Sequence, residues 1–128
     1  MQLTPTYSTY RNEVVPSPKP PHTLDTTKAE IIRKTCAEYL DVDVTVLASK
    51  WRKREIVEIR QIGMAITSNN TKLTLKSIGN YYGGRDHSTV IFAKQTVSDL
   101  CETDNVFLGK VRRIQTLVEK RFPLHFKF

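Results

Sequence analysis

The feature that most limits how this chain can fold is a pair of adjacent glycines, Gly83-Gly84, between two segments of helical periodicity. Glycine adopts backbone conformations that end a helix, so the pair predicts a turn. Asp86 can cap the second segment, because a carboxylate accepts from the free amides of a first helical turn. The apolar residues at helical spacing are Leu75, Ile78, Tyr81 and Tyr82 before the pair, and Val90, Ile91, Ala93, Val97 and Leu100 after it. The pattern predicts a helix-turn-helix.

In a helix-turn-helix, the first turn of the second helix enters the major groove of duplex DNA. Here that turn carries Arg85, Asp86, His87, Ser88 and Thr89. The Arg85 fork suits guanine O6 and N7, Asp86 can accept from the cytosine amino group, and the Thr89 methyl suits thymine. His87 can reach a phosphate or lie against a thymine methyl without a change of charge. We therefore expect this turn to contact bases.

A second candidate contact is a basic run around a single tryptophan. The run contains Lys50, Arg52, Lys53 and Arg54, and the tryptophan is Trp51. A charge run is usually a solvated face, but this one immediately precedes an amphipathic helix. The apolar and small residues of that helix are Ile56, Ile59, Ile62, Gly63, Ala65 and Ile66. A basic loop held at the start of a helix can reach DNA, so we expect these side chains to bind it.

The distribution of charge agrees with a polyanionic partner. The net charge is +7, and residues 1–48 carry five Lys or Arg against six Asp or Glu, a balance of −1. Residues 49–128 carry fifteen against seven, a balance of +8. A basic field of this kind attracts nucleic acid and makes association salt-dependent. The alternative explanation is a merely soluble basic surface.

Caps and periodicity predict the helices that precede the basic run. Thr27 and Glu30 have the spacing of a capping box, so a helix should begin at Thr27 and end near Asp41. Its buried side should contain Ile31, Ile32, Thr35, Cys36, Tyr39 and Leu40. Asp43 should then cap a short helix that ends at Leu47.

Similar signals predict the elements around and after the helix-turn-helix. Residues 69–71 are expected to form a loop, and Thr74 should cap the next helix. The small Gly79 should let the two helices of the motif approach closely. The recognition helix should end at residues 101–104. A final amphipathic helix should contain Phe107, Val111, Ile114, Leu117, Val118 and Phe122 and end at Pro123.

The domain organisation follows from the prolines and from the absence of strand patterns. Residues 1–25 hold five of the six prolines and are expected to form an extended tail, through which a protein partner could bind. Residues 26–128 are expected to form one all-α domain, a multi-helix bundle. The sequence shows neither a secretory signal nor a membrane span, so we expect a cytoplasmic, nucleoid-associated protein. Cys36 and Cys101 should be reduced thiols.

The sequence offers little support for catalysis. Gly83-Gly84 is not followed by the Lys-Ser/Thr of a phosphate-binding loop, so no nucleotide partner is expected. Asp86 and His87 could suggest a general base, but adjacent residues in a helix point in different directions and no nucleophile accompanies them. We therefore expect no enzyme activity, no cofactor and no metal.

Residues 83–90, Gly-Gly-Arg-Asp-His-Ser-Thr-Val, closely resemble the Gly-Gly-Arg-Asp-His-Thr-Thr-Val signature of the C-terminal DNA-binding domain of the bacterial replication initiator DnaA family. The resemblance spans roughly residues 27–122. It implies a Trp-repressor-like helix-turn-helix fold that binds duplex DNA at DnaA-box-like sites. The family's larger members carry an ATPase module before this domain, and with 128 residues this chain is expected to lack it.

The resemblance also implies roles for individual residues. It places the family's minor-groove arginine at Arg52 and its backbone-contacting pair at Arg60 and Gln61. Trp51 departs from the family, where a basic or small residue is common, so the resemblance implies that one phosphate contact is either lost there or replaced by packing. Ser88 keeps a hydroxyl for phosphate but lacks the methyl of the family's threonine.

Beyond Val90 the two patterns diverge. The family's Val-Leu-His-Ala-Cys-Arg-Lys-Ile stands here as residues 90–97, Val-Ile-Phe-Ala-Lys-Gln-Thr-Val. One histidine and two basic residues are lost and Lys94 is gained as a candidate phosphate contact. We therefore expect weaker binding to the DNA backbone, while the preference for a particular DNA sequence is preserved. The expected function is sequence-specific DNA binding in replication initiation or its regulation. The alternatives are a transcriptional regulator and a protein interaction module with an incidental basic face.

Overall fold

The computed structural model describes residues 24–121 of the chain. All regular secondary structure in this range is helical, which confirms the all-α prediction. The helices are α1 Leu24–Tyr39, α2 Val44–Leu47, α3 Arg54–Asn70, α4 Leu75–Tyr81, α5 His87–Thr103 and α6 Asn105–Arg121. Residues 1–23 of the expected proline-rich tail, and the expected end of the last helix at Pro123, lie outside the described residues. Residues 24 and 25, which were also expected in the tail, belong to α1. Within those residues, no helix is long and apolar enough to cross a membrane.

Helix α3 lies at the centre of the bundle. It contacts α1, α4 and α5, while α6 packs against α1 and α5. A helix that is buried on most of its circumference belongs to the core rather than to a surface layer. The buried residues of α3 are Ile56, Ile59, Arg60, Ile62, Gly63, Met64, Ala65, Ile66, Thr67 and Asn70. The buried side of α3 is therefore wider than the sequence predicts, because it also includes Arg60, Met64, Thr67 and Asn70.

The other helices each contribute one face to this core. Their buried residues include Ile32 and Cys36 of α1, Ile78 of α4, Val90, Ala93 and Val97 of α5, and Phe107, Val111, Ile114 and Val118 of α6. Burial raises the pKa of the Cys36 thiol to about 12, so the group is protonated at neutral pH. Cys101 is half-buried, and both cysteines are free, as expected.

Two predicted helix boundaries are wrong. Helix α1 begins at Leu24 rather than Thr27, which places the expected capping box inside the helix. Asp25 explains part of the difference, because a negative charge in a first turn interacts favourably with the helix dipole. Helix α3 continues through Asn70, where a loop was expected. The Asn70 side chain donates to the Ile66 carbonyl at 2.8 Å, and Lys28 donates to the Asn70 carbonyl at 3.3 Å. The bond from Lys28 satisfies a carbonyl that the end of a helix leaves free.

The predicted caps agree with the structure. The Asp43 carboxylate accepts from the Thr45 amide at 2.9 Å, at the start of α2. The Thr74 hydroxyl accepts from the Ser77 amide at 3.1 Å, at the start of α4. Because these bonds join residues two or three positions apart, local sequence is enough to predict them.

Asp104 connects the last two helices through both its backbone and its side chain. Its amide donates to the Leu100 carbonyl at 2.8 Å and so closes α5. Its carboxylate accepts from the amides of Val106 at 2.9 Å and Phe107 at 3.2 Å, in the first turn of α6. One residue therefore ends the recognition helix and starts the helix that packs behind it.

Candidate nucleic-acid interface

The turn between α4 and α5 depends on three glycines. Gly83 and Gly84 have φ values of 94° and 76°, in the left-handed region that favours glycine. The amides of Gly84 and Arg85 both donate to the Gly79 carbonyl at 3.1 Å. A Cβ on Gly79 would overlap the carbonyl oxygen of Arg85. Both expectations, a break at the glycine pair and close approach at Gly79, are therefore met.

Asp86 caps α5 as predicted. Its Oδ1 atom accepts from the Thr89 amide at 3.0 Å, from the Ser88 hydroxyl at 2.7 Å and from the Thr89 hydroxyl at 3.3 Å. These bonds, with that of Ser88 the strongest, hold the pKa of the Asp86 carboxyl below its ordinary value. All three bonds end on Oδ1, so Oδ2 remains the atom that can face a partner.

The first turn of α5 is open to solvent. His87, Ser88 and Thr89 are all exposed, while Val90 behind them is fully buried. The Ser88 hydroxyl donates a hydrogen bond to Asp86, so a bond from Ser88 to phosphate requires that hydroxyl to rotate away. The Thr89 methyl and the His87 ring are the side-chain groups here that need no such rearrangement.

Arg85 points back into the protein. Its Nη1 atom donates to the carbonyls of Tyr82 at 2.6 Å and Ala48 at 3.1 Å, and its Nη2 donates to the Ser49 carbonyl at 2.8 Å. Partial burial lowers the pKa of this guanidinium. A bidentate contact with guanine would require these bonds to be given up. The expected base contact of Arg85 does not fit this arrangement.

Arg60 is more deeply placed, with 5% of its surface exposed. Its Nε donates to the Leu47 carbonyl at 2.8 Å, and its Nη2 donates to the carbonyls of Ser49 at 2.9 Å and Trp51 at 3.2 Å. Burial, and then the charge of Arg85, lowers the pKa of Arg60 to about 10. The expected contact of Arg60 with the DNA backbone does not fit a side chain enclosed in this way.

The two arginines instead hold the segment between α2 and α3. We call residues 49–53 the basic loop. Lys50, Arg52 and Lys53 are exposed on it, and so is Trp51, with 61% of its surface accessible. Trp51 is therefore not packed inside the protein, as it would be if packing replaced the phosphate contact. Backbone carbonyls of the loop face inward to the arginines, and its basic side chains face solvent.

The basic loop and the helix-turn-helix border one groove. Its walls are formed by Lys50, Trp51, Arg52, Val57, Arg60, Gly83, Gly84, Arg85 and Thr89. These lining residues, all in the described part of the chain, include no acidic side chain. The basic loop and the helix-turn-helix, which the sequence analysis identified separately, are therefore adjacent, and the electrostatic potential between them is positive.

Three other residues that were expected to contact DNA do not line this groove: Lys94, Arg54 and Gln61. Lys94 lines a different groove, between α3, α5 and α6, and lies about 140° around the helix from Thr89. Arg54 is exposed at the start of α3 and its Nε atom lies 3.5 Å from the half-buried Glu58 carboxylate. An ion pair with one fully solvated partner contributes little to stability. Gln61 is half-buried, one turn beyond Val57.

Sequence reasoning missed the structural role of the two arginines. A signal existed for Arg60, because it lies four residues after Ile56 and three before Gly63, on the buried side of α3. No local signal marks Arg85, whose carbonyl partners Ala48 and Ser49 are 37 and 36 residues away. The described residues also contain no group of three or more His, Cys, Asp or Glu side chains that could hold a metal ion.

Comparison with known proteins agrees with this geometry. The family described as bacterial dnaA protein helix-turn-helix matches residues 29–97, more than half of the chain. A chromosomal replication initiator protein DnaA from Bacteroides fragilis is 36% identical over 92 residues, which are 72% of this chain and 19% of the relative. The corresponding protein from Thermus thermophilus is 37% identical over 95 residues, which are 74% of this chain and 22% of the relative.

A third relative, the DnaA protein of Flavobacterium psychrophilum, is 42% identical over 78 residues, covering 61% of this chain and 16% of that protein. The chain thus spans about a fifth of the length of the curated relatives it matches. The matched residues include the basic loop, the glycine turn and the first turns of α5. The chain therefore belongs to the bacterial DnaA helix-turn-helix family.

Proposed function

We propose that this domain binds duplex DNA sequence-specifically, with the first turn of α5 in the major groove and the basic loop at the adjacent minor groove. The observation that carries the proposal is the shared groove. Lys50 and Arg52 of the loop line it together with Thr89 of α5. Helix-turn-helix proteins present the start of their second helix to base edges, and a positive surface beside that helix suits the flanking phosphates.

The contacts divide into two groups by what each side chain is free to do. Thr89 can offer its methyl to thymine, His87 can contact a base or phosphate, and Oδ2 of Asp86 can accept from a cytosine amino group. Lys50, Arg52 and Lys53 are exposed charges suited to phosphates and to the narrow minor groove of A/T-rich DNA. Arg60 and Arg85 act indirectly, because they hold the loop in place.

The family membership and the named relatives support a more specific role. Those relatives are chromosomal replication initiators, and this chain matches about a fifth of their length. We infer that the domain recognises sites similar to DnaA boxes, short sequences with one A/T-rich half. Its process is replication initiation or the regulation of initiation. A cytoplasmic location at the nucleoid follows from that role.

We also infer that the domain acts by binding rather than by catalysis. The Asp86 carboxylate next to His87 accepts three hydrogen bonds from the cap of α5, which lowers its pKa and so makes it a poorer base. The groove has the charge and the open shape suited to a DNA backbone.

The experiment that tests the proposal is selection of bound sequences from a random duplex pool, followed by measurement of affinity for the selected duplex and a scrambled one. We expect a preference of at least tenfold for the selected duplex at near-physiological salt. We also expect log Kd to change linearly with log salt, because binding releases counterions from the phosphates. Equal affinity for both duplexes would overturn the proposal.

The same measurements identify the interaction-module alternative. A domain that docks on a protein through apolar contacts would bind its partner with little dependence on salt. The groove between α3, α5 and α6, which has Ile66, Ile91 and Leu108 among its lining residues, is the candidate surface for that outcome. Absence of DNA binding together with salt-insensitive partner binding would favour it.

A further inference from the structure

Phe92 of α5 is an exposed aromatic side chain on the helix that we place in the major groove. Its exposed fraction is 64%, the largest among the large apolar residues of that helix. Single exposed apolar residues are common on protein surfaces and need no explanation by themselves. The position of Phe92 relative to the proposed base contacts is what makes it informative.

Phe92 follows Ser88 by four residues and Thr89 by three. Side chains at these spacings lie next to each other on one face of a helix. Phe92 is therefore one turn further along the proposed DNA-facing side, about 4.5 Å along the helix axis from Thr89. Ile91, the adjacent exposed apolar residue, instead lines the groove between α3, α5 and α6.

The polar residues beyond Phe92 mark where this face stops being suitable for DNA. The Gln95 amide donates to the Asp99 carboxylate at 2.9 Å, and both side chains are exposed. An acidic side chain there disfavours contact with phosphates. Phe92 is thus the last exposed large apolar residue before the acidic part of the helix.

We propose that Phe92 is a further specificity-determining residue, which recognises a thymine through apolar contact with its C5-methyl group. The inference rests on the proposed DNA-binding function. A phenyl ring has no hydrogen-bond donor or acceptor, so it cannot bind phosphate. In the major groove the apolar group that distinguishes one base pair from another is the thymine methyl. A polar base edge against the ring would lose water without gaining a partner.

This contact would extend the recognised sequence by a position beyond the one that Thr89 contacts. The preference is expected to have two parts, contact with the methyl of thymine and desolvation of the polar edge of other bases. Burial of one methyl corresponds to about fourfold in affinity, which is roughly 0.8 kcal/mol at 1.4 kcal/mol per tenfold.

The test replaces each thymine of the selected duplex with deoxyuridine, one position at a time, which removes only the methyl group. Wild-type protein should lose about fourfold in affinity at one position in the region contacted by the second turn of α5. Phe92→Ala should bind the unmodified duplex more weakly and should be insensitive to deoxyuridine at that position. Phe92→Leu, which keeps an apolar group, should restore part of the sensitivity.

Ile91→Ala is the matched control, because it truncates an exposed apolar side chain of the same helix that lines the groove between α3, α5 and α6. It should keep the full sensitivity to deoxyuridine. Thermal unfolding of each variant verifies that the fold is retained.

The inference is overturned if Phe92→Ala shows the same deoxyuridine penalty as wild type, or if no thymine position shows one. Failure of the proposed function is a different result, in which wild-type protein does not distinguish the selected duplex from the scrambled one.

Discussion

Arg60 and Arg85 both donate a hydrogen bond to the carbonyl oxygen of Ser49, at 2.9 and 2.8 Å. Arg60 belongs to the central helix and Arg85 to the turn before the recognition helix. The two guanidinium groups are close enough for the charge of one to lower the pKa of the other. The peptide of Ser49 thus connects the core, the basic loop and the helix-turn-helix, and this connection can be tested.

We expect Arg60→Leu to lower the free energy of unfolding by about 2–3 kcal/mol, because it removes the arginine that donates to the carbonyls of Leu47 and Trp51. Arg52→Ala should leave stability within about 0.5 kcal/mol of wild type, because Arg52 is an exposed arginine of the loop itself. Urea unfolding measures both changes. Equal destabilisation by the two substitutions would contradict the anchoring role of Arg60.

DNA binding should distinguish side chains that position the domain from those that contact bases. Lys53→Ala should weaken binding to selected and scrambled duplexes by a similar factor and reduce the salt slope by roughly one unit. Thr89→Ala should weaken binding mainly to the selected duplex, by roughly fourfold, because it removes a methyl suited to thymine. Fluorescence titration at several salt concentrations gives both quantities. A uniform loss for Thr89→Ala would exclude its proposed base contact.

Arg85→Ala should behave like a positioning substitution rather than a base-contact substitution. It removes the donors to Ala48, Tyr82 and Ser49, so the basic loop should become less well held. We expect destabilisation of about 1–2 kcal/mol and weaker binding to selected and scrambled duplexes alike. Selective loss of affinity for the selected duplex alone would instead support the guanine contact expected from the sequence.

Two glycine substitutions should have opposite effects. Gly79→Ala should destabilise the domain by about 3 kcal/mol or more, because its Cβ would overlap the carbonyl oxygen of Arg85. Gly109→Ala in α6 should stabilise it by about 0.5–1 kcal/mol, because its Cβ meets no atom within 4 Å and alanine favours a helix. Calorimetric melting temperatures report both changes. A tolerated Gly79→Ala would show that the turn can be rebuilt without this close approach.

Acid should weaken the cap of α5. The hydrogen bonds from Ser88 and Thr89 lower the pKa of Asp86 in the folded state. Its contribution to stability is therefore fully present above the unfolded pKa of about 3.9, and is lost as the pH falls through the lower folded value. Asp86→Asn, which can still cap a helix, should reduce the difference in stability between about pH 6 and pH 2.5. An unchanged difference in urea unfolding would mean that this carboxylate is not linked to folding.

The sequence was most informative where the relevant contacts are local. Asp43, Thr74 and Asp86 cap the helices that the sequence predicted they would cap. Each side chain accepts a hydrogen bond from a backbone amide two or three residues ahead, so the contact is local. The same local reasoning failed at Thr27, because the spacing of a capping box also occurs inside a continuous helix. It failed again at Asn70, whose carbonyl is satisfied by Lys28 from another helix.

The candidate site shows the same limit. The sequence predicted surface positions for the basic loop and for the first turn of α5, and the basic side chains of the loop and residues 87–89 are exposed. It could not show that Arg60 and Arg85 bond to backbone carbonyls, because those partners are brought near only by the packing of α2, α3 and the turn. An arginine has the same sequence letter whether it faces DNA or its own backbone, so only tertiary structure separates these cases.

The anchoring of the basic loop also affects the thermodynamics of binding. A loop that becomes ordered only on DNA would lose conformational entropy at that moment, with a large negative change in heat capacity. Here the carbonyls of Leu47, Ser49 and Trp51 are already bonded to Arg60 in the free protein. Much of the ordering is completed during folding, so the free domain is preorganised, and the enthalpy of association should vary little with temperature.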